Sequence, residues 1–198
     1  MAGTASPHDR EAIMRAAVQL TARHGTAAVE DILRVAHVNR RIFYRHFASK
    51  DALLAELAAE AAEAVGQELA AAVSGAPDGA GAARAWVGHY LELVRDEGAA
   101  TSARSYLAPD PTAGTTVAAA VEAGHDRHRE LLEDALRRGR ADGSLPATDP
   151  EGDAFVVQAA VLRYAGLHLH GHPSLDAEAA AAAVTGALQR LGGASGPP

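Results

Sequence analysis

Nowhere does this 198-residue chain alternate apolar and polar residues with the period of two that a half-buried strand requires. Its apolar residues recur at three and four instead. From Asp9 the series Ile13, Ala16, Ala17, Leu20 and Thr21 keeps helical spacing up to Gly25. After Ser49 a much longer stripe carries Leu54, Leu57, Ala58, Ala61, Val65, Leu69 and Val73, until "SGAPDGAG" (74–81) breaks it. The alanine that dominates the composition is the best helix former. The expectation is an all-α fold of about nine helices.

The punctuation divides the rest. A short apolar pattern, Val29, Ile32 and Leu33, ends by His37, with Thr26 as its expected N-cap. A third begins at Asn39, a good N-cap, and runs to about His46; Ser49 caps the long helix that follows. Trp86, Tyr90, Leu93 and Val94 mark a further helix, expected to stop at Gly98 before a short segment at 101–108. A helix is expected over about 112–141. Asp149 and Pro150 then open one reaching about His170, and the last is expected over 176–191. Three short helices at the front, the second and third joined by a tight turn, make a helix-turn-helix arrangement.

Charge follows the same division. Residues 1–50 hold eight arginines or lysines against four acids, a net +4. The other 148 residues hold ten against 21, a net −11, and together they give the overall −7. A basic end on an acidic body points to a polyanion as the partner of that end. The expected division is a DNA-binding domain over residues 1–50 and an acidic helical body over 51–198.

The basic end concentrates in "HVNRRIFYRHFASK" (37–50), which contains Lys50, the sole lysine. At roughly 100° per residue, Arg40, Arg41, Tyr44 and Arg45 fall within an arc of about 140°, opposite Ile42 and Phe43. One face can pack while the other presents guanidiniums and a phenol. Arginine bonds guanine O6 and N7 with two N–H groups, whereas Tyr, His and Lys commonly hold phosphates. Lys50 opens a helix whose N-terminal N–H groups also favour phosphate. The expected DNA-contact set is Asn39, Arg40, Arg41, Tyr44, Arg45, His46 and Lys50.

"VEDILRVAHVNRRIFYRHFASKDALL" (29–54) resembles the DNA-binding segment of the TetR family of bacterial transcriptional regulators. Val29, Ile32, Ala36, Val38, Phe43, Tyr44, His46, Phe47, Ser49, Lys50 and Leu53 carry the resemblance. "LEDALRRGRADGSLPATDPEGDAFVVQAAV" (132–161) is similar to that family's link between its seventh and eighth helices. Departures are His37 in place of the usual turn glycine, Arg41 and Ile42 in place of a small pair, and a shortened connection before the second helix. The resemblance implies a ligand-responsive repressor: an Ω-shaped homodimer joined through its last two helices, reading an inverted-repeat operator in double-stranded DNA. Phe155, Val156, Ala159, Leu162, Ala180, Val184 and Leu188 supply apolar surface for that pairing. It further makes 51–198 the effector-binding and dimerisation domain, with a small-molecule pocket within helices 4–8 whose occupation releases the operator. Trp86, Tyr90, Arg104, Tyr106, His128, Phe155 and Tyr164 are the candidate lining, suited to a hydrophobic or aromatic effector.

Other chemistries find less support. There is no cysteine, which removes disulfides, thiolate catalysis and cysteine-bound zinc. Neither a nucleophile-elbow glycine pattern, a Gly-rich phosphate loop nor HExxH occurs, so no enzyme activity and no cofactor is expected. The competing reading is a helical enzyme or small-molecule-binding protein that retains a helix-turn-helix module. His125 and His128 stand one turn apart, and His168, His170 and His172 alternate, but i and i+2 point about 200° apart on a helix. No metal site is expected. No apolar run approaches the roughly 20 residues of a membrane span, and no secretory pattern opens the chain. The expected location is the cytoplasm.

Overall fold

The computed structural model describes residues 6–24, 26–109 and 113–171, with positions 182, 183, 186 and 188. Among them are eight α-helices and no strand. They are α1 (Pro7–His24), α2 (Val29–Ala36), α3 (Arg40–His46), α4 (Lys50–Ser74), α5 (Gly79–Arg95), α6 (Glu97–Leu107), α7 (Thr115–Asp142) and α8 (Pro150–Leu169). The ninth expected helix, over 176–191, falls largely outside the described residues. The chain divides into two compact units, Met1–Ala62 with Thr101–Ala123, and Glu63–Ala100 with Gly124–Pro198.

In the first unit α1 packs on both α2 and α3. Its buried residues are Ile13, Met14, Ala16, Ala17, Leu20 and Thr21, the spacing of one helical face. Helices of eight and seven residues, as α2 and α3 are, would not persist alone in water. Each is held by a buried anchor, Ile32 on α2 and Phe43 on α3, with Phe47 closing the end of α3. The ends are fixed by side chains. Asn39 Oδ1 accepts from the Ile42 N–H at 3.0 Å, and Ser49 Oγ from the Ala52 N–H at 3.0 Å. Arg10 ties three elements together. Its guanidinium pairs with Glu56 on α4, reaches Glu60 at 3.9 Å and lies 5.5 Å from the centroid of the Phe47 ring.

The turn between α2 and α3 keeps the left-handed conformation despite its histidine. His37 has φ 55° and ψ 36°, and the Val38 N–H donates to Leu33 O at 3.1 Å. Of the two outcomes open to a non-glycine residue there, relaxation or strain, the structure has the strained one.

Three sequence-based boundaries shift. The N-cap of α2 is Ala28, with no side-chain cap, rather than Thr26. Gly98 does not stop α5, which ends at Arg95; it lies inside α6. Asp96 sits between those two helices, and its Oδ1 accepts from the Ala99 N–H at 2.7 Å. That carboxylate starts a new helix where a glycine alone suggested an end, so the expected 101–108 segment is part of α6 up to Leu107. Helix α7 begins at Thr115 rather than near 112.

In the second unit α5 packs on α8. The N-terminus of α5 is fastened to the end of α7. Asp142 Oδ2 accepts from the Gly79 N–H at 2.8 Å, Ser144 Oγ from Ala80 at 3.0 Å and Asp78 Oδ1 from Gly81 at 2.6 Å. These are the N–H groups that a helix start leaves without intrahelical partners. The approach is close enough that a Cβ on Gly79 would stand 2.0 Å from the Gly139 nitrogen, so only glycine fits.

Candidate nucleic-acid interface

Burial of Phe43 orients α3, and the opposite face carries the charge. Arg40, Arg41 and Arg45 are exposed, and Tyr44 is 50% exposed with its ring edge-on to Phe43 at 5.2 Å. An exposed aromatic between arginines, supported on a buried one, is a surface built for contact rather than for core. The remaining members of the expected set differ in availability. Asn39 is exposed, but its Oδ1 is spent on capping α3. His46 is half-buried, with Nε2 enclosed and without a hydrogen-bond partner among the described residues. That ring nitrogen must turn outward to meet a phosphate. Lys50 is half-buried at the first residue of α4.

One participant was not legible from spacing. Glu30, on the first turn of α2, accepts a hydrogen bond from Arg40 Nη2, and both side chains are well exposed. The ten-residue separation gives no helical signal, and only the fold brings them together. Arg41, by contrast, makes no ion pair among the described residues.

The seven candidate ligand residues divide between the units. Arg104 and Tyr106 belong to the first, Tyr106 fully buried and Arg104 partly so. In the second unit, Trp86, Tyr90 and His128 form one buried cluster. Trp86 Nε1 donates to the His128 carbonyl at 2.9 Å, Tyr90 Oη lies 2.6 Å from His128 Nδ1, and the two aromatic rings are 4.7 Å apart. Gly66 makes room for the imidazole: a Cβ there would stand 3.0 Å from His128 Nε2. Tyr164 is buried on α8 with its hydroxyl unsatisfied among the described residues. Phe155 is placed differently. It stands 65% exposed beside Val156 at 64%, on the outer side of α8. Among the described residues no group of three His, Asp or Glu could hold a metal ion, and no helix is long and apolar enough to cross a membrane.

Residues 13–57, which contain α2, α3 and the turn between them, match the family model described as bacterial regulatory proteins, tetR family. A TetR-family transcriptional regulator from Agrobacterium tumefaciens shares the fold at TM-score 0.72 and 24% identity, over 92% of this chain and 96% of that one. Residues 13–57 of this chain are thus a TetR-family DNA-binding segment. A solved complex of SmeT with triclosan resembles this chain at TM-score 0.71 and 26% identity, covering 92% of this chain and 90% of SmeT. AibR, solved with isovaleryl coenzyme A and operator DNA, is similar at TM-score 0.68 and 20% identity, over 90% and 97% of the two chains. No curated protein matches it. The matched segment includes α2 and α3, the helix-turn-helix of the chain.

Proposed function

We propose that this chain is a repressor that binds an inverted-repeat operator as a homodimer and is released when a small hydrophobic or aromatic molecule occupies the body of the protein. The observation that carries the reading is the exposed arginine face of α3, oriented by the buried Phe43 within a module that matches the family model. In this reading residues 1–50 engage DNA, while 51–198 bind the effector and pair the subunits. Arg40, Arg41 and Arg45 meet base edges, while Asn39, Tyr44, His46 and Lys50 hold the backbone. The basic end, net +4 on a chain of −7, is too weakly charged to hold DNA well as a single copy. Two copies place their α3 helices about 34–36 Å apart, one duplex turn.

Pairing falls to the last two helices, where exposed Phe155 and Val156 are apolar groups that a partner would cover. The effector site draws on Trp86, Tyr90, His128 and Tyr164 of the second unit, with Phe155 serving the partner surface instead. The small-molecule complexes of SmeT and AibR support an organic ligand, and AibR's operator complex supports duplex DNA. The protein acts in the cytoplasm and turns over no substrate. Selection of bound fragments from the source genome, followed by a screen for compounds that release them, tests the proposal. Recovery of a two-fold symmetric site is the expected result; fragments without symmetry would overturn it.

A further inference from the structure

An acidic side chain stands beside the recognition face. Glu30 projects from the first turn of α2, and its Oε1 accepts from Nη2 of Arg40, the first residue of α3. Side-chain exposures of 66% and 63% leave both groups in solvent, so the contact is not a means of burying charge. A surface pair of this kind adds little to folding. It does fix where a long, flexible side chain points.

A guanidinium has five N–H donors in a rigid fork. Giving one Nη2 hydrogen to Glu30 leaves the second beside Nη1 or Nε, and neither of those nitrogens has a partner among the described residues. The edge needed for a two-pronged contact with guanine O6 and N7 is therefore still open. Arg40 also stands at the N-terminal end of the recognition helix, the part that meets base edges in helix-turn-helix complexes. We infer that Glu30 is a specificity-determining residue that holds the Arg40 guanidinium in position to read a guanine and keeps it from the phosphates.

Two consequences have opposite signs. On the operator the pair persists, and Arg40 makes its base contact without first losing rotamer freedom. On random DNA the carboxylate withholds Arg40 from the backbone, removing one sequence-independent contact. Glu30 is then a positioning residue that acts through Arg40, and it raises the ratio of operator to random affinity from both sides. The inference rests on the DNA-reading role of α3 proposed above.

The test is the Glu30→Gln variant of the full chain, titrated with its selected operator and with a random duplex at several salt concentrations. Operator affinity should fall about two- to fivefold while random affinity rises. The salt slope on random DNA should steepen by about 0.9 for each arginine released. Binding-site selection with E30Q should relax the same base position that Arg40→Ala relaxes. In an Arg40→Ala background, adding E30Q should leave the operator-to-random ratio unchanged. Equal tightening on both duplexes, or an equal effect of E30Q with and without Arg40, would show plain repulsion between an acid and DNA and overturn the inference. If the unaltered protein itself does not discriminate between the duplexes, the repressor reading fails as well. Discrimination by the parent with no change in E30Q removes the inference alone. Circular dichroism confirms that the variants are folded.

Discussion

At the scale of single residues, the recognition helix separates two kinds of arginine. Arg40 is already engaged by Glu30, whereas Arg41 is exposed and makes no ion pair among the described residues. Arg41→Ala should cost operator affinity about 1–3 kcal/mol and relax one base pair. Lys50→Ala should weaken every duplex alike and reduce the salt slope by about one. Equal losses on operator and random DNA for both variants, measured by fluorescence anisotropy, would remove the assigned roles. His37 presents a different cost. Its left-handed backbone is unfavourable for any residue with a Cβ, by about 1–2 kcal/mol, and glycine returns part of that gain as entropy. His37→Gly should therefore stabilise the chain by about 0.5–1 kcal/mol. A thermal midpoint that fails to rise would show that the histidine is compensated by contacts of its own ring.

At the scale of elements, sequence reading succeeded where a signal is local. Helical spacing located α1, Asn39 and Ser49 announced the caps of α3 and α4, and Asp149–Pro150 marked the start of α8. It failed where a distant or competing group decides. Thr26 looked like a cap, but α2 starts beyond its reach, and Gly98 looked like a stop although Asp96 had already begun another helix. The Glu30–Arg40 pair and the hydrogen bonds that join Trp86 and Tyr90 to His128 are not legible in the sequence, because tertiary packing, not spacing, assembles them. The fastening of α5 to α7 belongs to the same class, and it is sensitive to acid. Hydrogen bonds from Ser144, then from the Gly79 N–H, hold Asp142 below its ordinary carboxylate value of 3.8. A depressed folded pKa means the contribution is fully present above that ordinary value and is lost as pH falls through the folded one. Asp142→Asn should lower the thermal midpoint at neutral pH, and the gap from the parent should close below about pH 4. A gap independent of pH would show that Asp142 acts through shape alone.

At the scale of the whole molecule, the decisive quantity is how many copies act together. Phe155 and Val156 are large apolar side chains left about two-thirds exposed, on the helix proposed to pair subunits. Replacing both with aspartate should give a monomer in sedimentation at micromolar concentration, with its helical spectrum intact. Affinity for the inverted repeat should fall by about 10²–10⁴, the advantage of linking two half-site contacts. A parent that sediments as a monomer, or a double variant that stays paired, would contradict the dimer. The single lysine gives such measurements an unusual clarity. Because Lys50 opens α4 beside the recognition helix, reductive methylation with labelled formaldehyde installs only one dimethyl-lysine signal in the spectrum. Resonance counting then reports symmetry: equivalent subunits give one peak, and a duplex with unlike half-sites splits it in two.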